Sequence, residues 1–192
     1  MAMKLNDAFS KRHSIRNYSN KPVSWGKISL VLEAATHAPC AGGIYTVKLV
    51  IISNKEKIRV IADACQQSFV GLASFIIAVC SDTKYTEKFY GERAKMYIRQ
   101  QAGAAIENML LKATELGLGA CWIGSFDENI VKRELKIPVG IQLEALIPIA
   151  NPLKQPTTSM RKPHIDLKKI VFFHKYGQRI EKPPVKTELY ET

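Results

Sequence analysis

Apolar residues along this chain follow two rhythms, helical spacing and short continuous runs, and the two alternate. Ile28, Val31, Leu32 and Ala35 recur at i, i+3, i+4 and i+7 behind Ser24, which predicts an amphipathic helix closed before Pro39. Residues 47–53 (VKLVIIS) are short, β-branched and apolar, the signature of a buried strand. Asn54 then suits an N-cap for a helix carrying Ile58, Ile61, Ala62 and Cys65. Residues 74–80 (SFIIAVC) predict a second strand. The longest helical pattern covers residues 92–116, with Ala94, Ile98, Ala102, Ala105, Met109 and Ala113 in one stripe. Gly117 and Gly119 stop it. Residues 118–123 predict a third strand, Gly124-Ser125-Phe126 a turn, and residues 142–150 (QLEALIPIA) a fourth strand. Between them, Asp127 caps a helix with Ile130, Val131 and Leu135 inside. A first helix is expected over residues 7–12, capped by Asn6 or Asp7, and residues 170–173 read as a short strand.

Helices and strands interleave, but the strands are few, their connections uneven, and no segment repeats. That pattern predicts an α+β fold around a mixed sheet rather than a regular doubly wound one. Ala102-Gly103-Ala104-Ala105 has almost no side-chain bulk. A helix-interior glycine costs about 1 kcal/mol relative to alanine. Either another helix approaches closely there, or the stretch is an ordinary small-residue contact inside the core.

Length and composition narrow the picture. A chain of 192 residues is expected to form a single domain over 1–192, able to complete itself by dimerising. No apolar run reaches the ~18 residues a membrane span needs. The opening residues lack a signal-peptide pattern, so a cytoplasmic protein is expected. The four cysteines, Cys40, Cys65, Cys80 and Cys121, form no CxxC pair, which excludes zinc-knuckle and thioredoxin motifs. Cys80 and Cys121 lie in apolar runs and read as core thiols. The net charge of +11 suits nucleic acid, an anionic membrane or anionic small ligands. The basic residues are spread along the chain without a basic tail, and Tyr18 and Tyr97 are too isolated for a base-stacking platform. Neither nucleic acid nor a membrane is therefore expected as a partner, and most of the charge reads as solvated surface.

Four segments carry candidate chemistry. Arg12-His13-Ser14-Ile15-Arg16 places two guanidiniums and a hydroxyl within five residues. Arginine forks suit a phosphate, and in an extended stretch Arg12, Ser14 and Arg16 share one side. Ala38-Pro39-Cys40-Ala41-Gly42-Gly43 is a turn of small residues that lets a flat ring approach the backbone. Residues 117–126 (GLGACWIGSF) end a strand in a Gly-Ser turn, leaving peptide N–H groups to donate. Arg161, before Lys162 and Pro163, adds a cation from a distant polar loop. Taken singly, each also fits a plain surface cluster, loop or turn. GxGxxG after a strand and GxxxxGK[ST] are both absent, so Rossmann and P-loop readings lack their fingerprints.

In order and spacing, the four segments resemble the nitroreductase-like family of FMN-dependent oxidoreductases. Its opening Arg-x-Ser-x-Arg/Lys corresponds to Arg12, Ser14 and Arg16. Its Ala-Pro-Ser-x-x-Asn-x-Gln-Pro-Trp loop corresponds to the stretch from Ala38 to Val47. Its Gly-Leu-Gly and flavin-contacting turn correspond to Gly117-Leu118-Gly119 and Ile123-Gly124-Ser125-Phe126, and its late Arg to Arg161. The resemblance implies a mixed, mainly antiparallel sheet flanked by helices in an intertwined homodimer, with FMN bound between the subunits. Arg12, Ser14 and Arg161 would hold the phosphate and ribityl chain, and Arg16 the N1/O2 edge of the ring. Gly124 and Ser125, following Ile123, would offer N–H groups to N5 or O4. Pro39, Cys40, Ala41 and Gly43 would come from the other subunit, with Pro39 and Cys40 packing on the ring. His13 lies inside the first motif and reads as structural.

The second motif departs from the family. Cys40 stands for the usual Ser, Gly43 for Asn, Tyr45 for Gln, and Thr46-Val47 for Pro-Trp. The contact that the Asn side chain makes is therefore missing. The implied activity is ping-pong transfer from NAD(P)H through flavin N5 to a small organic acceptor such as a nitroaromatic or quinone. No side chain need act as acid or base, so no catalytic residue and no metal ligand is expected. The alternatives keep the fold and FMN with dehalogenation or enone reduction as the chemistry, or with no turnover at all. The tail over residues 178–192 is too polar to build a core, and is either frayed or laid over the partner.

Overall fold

A computed structural model describes residues 3–154 and 165–179. The chain divides into two compact units, Met1–Thr158 and Ser159–Thr192. In chain order the first unit contains α1 (Leu5–Lys11), α2 (Trp25–Thr36), β1 (Val47–Ile52), α3 (Lys55–Cys65) and β2 (Phe75–Asp82). It continues with α4 (Lys84–Tyr90), α5 (Ala94–Glu115), β3 (Gly119–Ala120), α6 (Glu128–Leu135) and β4 (Ile141–Ala150).

The four strands form one sheet in the order β1-β2-β4-β3, and every pairing is antiparallel. The mainly antiparallel sheet expected from the sequence is thus found, without a parallel pair among the described residues. Helices cover both faces. On one, Ile28, Val31 and Ala35 of α2 and Ala105 and Met109 of α5 pack on Ile77, Val79 and Ile147. On the other, Ile58 and Ile61 of α3 and Val131 of α6 pack on Ile76, Ala78 and Leu146. A strand covered on both sides reads as a continuous apolar run, which is why β2 shows no alternation.

A bulge in β4 sets which residues face which layer. Val79 pairs with Ala145 but Cys80 pairs with Leu143, so Glu144 has no partner on β2. The extra residue reverses the alternation, and Leu143 and Leu146 come to lie in the same layer.

Local sequence rules fix several ends. The Asn54 side chain accepts from Lys57 N, and that of Asp127 from Asn129 N and Ile130 N. At the end of α5, Gly117 (φ 71°) makes the turn, Gly117 N donates to Thr114 O at 3.0 Å and Leu118 N to Ala113 O at 2.8 Å. These two bonds are the Schellman closure, which satisfies carbonyls that the helix leaves open.

Other expectations are corrected. The cap of α1 is Lys4 rather than Asn6 or Asp7, without a side-chain bond. Ser24 occupies the N-cap of α2 but its hydroxyl bonds no helix N–H. The third strand is only Gly119–Ala120, with a further bridge from Ile123 to Leu146. The helix α4 was not foreseen, because its sequence KYTEKFY buries Thr86 alone and so carries no apolar stripe. The stripe of α5 is buried as expected, and Ala102 and Ala105 pack within the chain's own core. A Cβ at Gly103 would meet Trp122 at 3.7 Å, an ordinary contact, so nothing within the chain demands glycine there.

In the second unit the expected strand at 170–173 is a helix and turn instead. The Asp166 side chain accepts from Lys168 N at the start of α7 (Leu167–Ile170). Phe172 and Tyr176 stack at 4.8 Å, with the Arg179 guanidinium 5.4 Å from the Phe172 ring centre.

Candidate functional site

The first and third motifs meet. Beyond α1 the chain runs extended along the outer edge of the sheet. Ile15 N donates to Ala120 O at 2.9 Å, Ser19 N to Asn151 O at 2.8 Å, and Leu153 N to Asn17 O at 3.0 Å. Ile15 packs so closely on β3 that a Cβ at Gly119 would lie 2.8 Å from its Cγ2. The second Gly of Gly-Leu-Gly, Gly119, is thus required by the approach of the first motif, whereas Gly117 is required by its left-handed angle.

The Ser14 and Arg16 side chains lie on the Cys121 side of the segment, while Ile15 between them turns to Gly119. This is the alternation expected of an extended segment. Burial pushes the Cys121 thiol up, and the nearby Arg16 charge and Ser14 side chain only moderate the rise. Tyr18, buried beside it, donates to Pro148 O at 3.2 Å. Burial and Cys121 push the Tyr18 phenol up, against the Arg16 charge. Arg12 instead turns to α5, where its Nε lies 3.0 Å from Glu107 Oε1. The His13 Nδ1 sits 2.7 Å from Lys11 O.

Beyond β3 and Cys121 the chain continues through Trp122, exposed by 43%, to Ile123, which is buried and exchanges both backbone bonds with Leu146. Gly124 and Ser125 follow on the surface. Among the described residues no acceptor engages their N–H groups. Guanidiniums, a hydroxyl and open peptide donors therefore share one edge of the sheet.

The second motif is held elsewhere. Ala41–Gly43 form a 3-10 turn in which Gly42 (φ 57°) and Gly43 (φ 73°) are both left-handed, a conformation costly for other residues. Among the described residues the hydrogen bonds that leave this loop run to α2, α5 and the end of β2. The departures from the family pattern do structural work here. The Tyr45 hydroxyl donates to Ala35 O at 2.7 Å, satisfying a carbonyl in the last turn of α2. Burial, with Cys40 adding to it, pushes the Tyr45 phenol up. Thr46 donates through N and Oγ1 to Gln101 Oε1 of α5, at 3.0 and 2.6 Å. Pro39, Cys40 and Ala41 lie on this loop, with Cys40 half-buried. Arg161 lies outside the described residues. Tyr90, at the end of α4, escaped the sequence reading, yet its hydroxyl lies against Gly42.

Fold and edge together define a class: a helix-covered antiparallel sheet presenting a cationic segment beside unpaired peptide donors. The model of the nitroreductase family matches residues 9–72 and 62–150. A relative in Archaeoglobus fulgidus, whose name joins NADH dehydrogenase and NAD(P)H nitroreductase, is 32% identical over 131 residues, 68% of this chain and 72% of that one. The structure of a nitroreductase family protein from Clostridium novyi NT superposes with a TM-score of 0.73 at 23% identity, covering 95% of this chain and all of that one. The structure of an NADPH:FMN oxidoreductase from Vibrio harveyi, complexed with NAD+, gives 0.80 at 19% identity, covering 91% and 78%. This chain belongs to the nitroreductase family. No helix among the described residues is long and apolar enough to cross a membrane.

Proposed function

We propose that this chain is an NAD(P)H-dependent flavin oxidoreductase that works as a homodimer with FMN at each subunit interface. The observation that carries the reading is the meeting of the first and third motifs, where Ile15 N donates to Ala120 O and Ile15 packs on Gly119, with Gly124 and Ser125 and their open N–H groups further along the same segment. FMN held there would supply the redox chemistry, two-electron transfer between NAD(P)H and an organic acceptor such as a nitroaromatic or quinone. The donor set fits such a group: cations for a phosphate and for charge on the reduced ring, and peptide donors for its polar edge.

The protein's own share is placement and electrostatics. Arg12 and Ser14, with Arg161, hold the phosphate and ribityl chain. Arg16 faces the ring edge where negative charge accumulates. Gly124 and Ser125 orient the ring through their N–H groups, and Pro39, Cys40, Ala41 and Gly43 of the partner subunit cover it. Because the Arg12 guanidinium is paired with Glu107, its grip on a phosphate is shared with that carboxylate.

The visible spectrum of the purified protein tests the reading. Bands near ~370 and ~450 nm, typical of an oxidised flavin cofactor, support it. A colourless protein that takes up no FMN overturns it. Rapid bleaching on anaerobic addition of NADH or NADPH separates an oxidoreductase from a flavin store. Arg16→Ala should slow that bleaching more than it weakens FMN binding, and Arg12→Ala should do the reverse. Equal effects in the two variants would overturn these two roles.

A further inference from the structure

We infer that a cavity between α4, α5, α6 and the start of β4 seats the phosphorylated ribose of NADPH, and so selects NADPH over NADH. The inference rests on the NAD(P)H-dependent reading given above and deepens it. The cavity has a volume of about 330 Å³, and Glu87, Lys95, Arg99, Lys132, Gln142 and Glu144 are among the residues that line it.

Glu144 is the extra residue of the β4 bulge, without a partner on β2, and a bulge re-aims the side chain it carries. Its Oε1 is buried and has no hydrogen-bond partner among the described residues. A carboxylate oxygen withdrawn from water without a donor is costly, and a ligand hydroxyl supplies that donor. The α5 wall is cationic. Lys95 and Arg99 stand one turn apart, both exposed, and neither pairs with a carboxylate among the described residues. Lys132, from α6, is held by Glu128 at 2.6 Å. A ligand that suits both walls carries an anion and a hydroxyl side by side. The ribose of NADPH does so: Lys95 and Arg99 take its 2′-phosphate, and Glu144 accepts from the neighbouring 3′-hydroxyl. An acidic residue for a ribose hydroxyl and an arginine for the 2′-phosphate are the groups suited to this recognition. NADH has a hydroxyl in place of that phosphate and leaves the two cations unanswered.

Two elements place the cavity beside the edge described above. Residues 95, 99, 103 and 107 of α5 follow one another at i+4 on one face. Arg12 pairs with Glu107, and Trp122 lies against Gly103. Arg99 comes on the next turn, about 12 Å along the helix from Glu107. On β4, Ile123 bridges Leu146, and the antiparallel course carries Gly124 and Ser125 on in the direction of Glu144.

The test is a calorimetric titration of the full chain as purified. Adenosine 2′,5′-bisphosphate carries the phosphorylated ribose without a nicotinamide, and adenosine 5′-monophosphate lacks the 2′-phosphate. The bisphosphate should bind about tenfold more tightly. Lys95→Ala and Arg99→Ala should each remove most of that difference and leave binding of the monophosphate unchanged. Glu144→Ala should weaken the bisphosphate about threefold. Lys48→Ala, an exposed cation on β1, should change nothing. In turnover, the ratio of kcat/KM for NADPH to that for NADH should fall about tenfold in Arg99→Ala. Equal binding of the two nucleotides by the wild type overturns the inference while the flavin reading stands. A loss in Lys48→Ala as large as in Arg99→Ala also overturns it, since overall charge and not the cavity would then be responsible. The titration needs no flavin, so a colourless chain that still prefers the bisphosphate supports the cavity and overturns the flavin reading alone.

Discussion

The edge formed by the first and third motifs and the loop of the second motif are built on opposite principles. The edge is a long-range assembly. Residues 15–19 are held by backbone bonds to Ala120, Asn151 and Leu153, far away in sequence. The loop is shaped by local backbone geometry, two adjacent glycines at φ 57° and 73°, and then tied to α2 and α5 by the side chains of Tyr45 and Thr46. An edge of the first kind tolerates changes in its exposed side chains but not in its packing. A loop of the second kind keeps its path only with residues that accept left-handed angles, and here the residues that depart from the family pattern, Tyr45 and Thr46, tie it to its neighbours.

The largest expected effect breaks the edge. Gly119→Ala sets a Cβ 2.8 Å from Ile15 Cγ2, 3.1 Å from Ile15 Cβ and 3.4 Å from Pro152 Cβ, with no flexible chain end to yield. It should cost about 2 kcal/mol in urea unfolding, as overpacking does, and weaken FMN binding by displacing Ser14 and Arg16. An unchanged midpoint would mean that the first motif is not pinned there.

Next comes the loop. Gly42→Ala should cost about 1 kcal/mol for the left-handed angle alone, and more from the collision with Tyr90. The comparison is sharpened by pairing it with Tyr90→Phe: removing the hydroxyl should recover part of the loss, measured as a coupling in a double-mutant cycle. Strict additivity would mean that the contact is unimportant.

Thiol chemistry gives a third contrast. Cys121 in the edge is buried, as are Cys65 and Cys80, whereas Cys40 in the loop is half-buried. An aromatic disulfide reagent should label Cys40 in the native protein and the other three after unfolding. Burial pushes the Cys65 and Cys80 thiols from 9.0 up to about 11. Because the fold keeps these protons while the unfolded chain releases them, stability should be level below pH 9 and fall as pH rises from 9 towards 11. A melting temperature that stays constant across that window would contradict the buried, neutral thiols.

The smallest effect concerns the Arg12–Glu107 pair, whose side chains are 27% and 43% exposed. Glu107→Ala should change stability by no more than about 0.5 kcal/mol. It should instead tighten FMN binding by freeing the guanidinium, an effect read from a fluorescence titration of the cofactor.

Much of the fold was legible because it follows from local rules. Asn54 and Asp127 cap because their side-chain oxygens accept from free N–H groups in the first turn, and Gly117 ends α5 because the turn needs a left-handed residue. The apolar spacing placed the buried stripe of α5 and the runs of β1, β2 and β4. The helix α4 stayed hidden because it buries a single residue, and the shortness of β3 because an apolar run does not reveal how much of it finds a partner.

Alone, then, the sequence determined most of the elements and the family, since periodicity, caps and ordered motifs are properties of neighbours along the chain. Tertiary structure alone decided that Ile15 makes Gly119 obligatory, that Arg12 turns to Glu107, that Glu144 reverses the alternation of β4, and that Tyr90 fills the space above Gly42. Each of these depends on distances between residues far apart in the chain, which neither residue type nor spacing encodes.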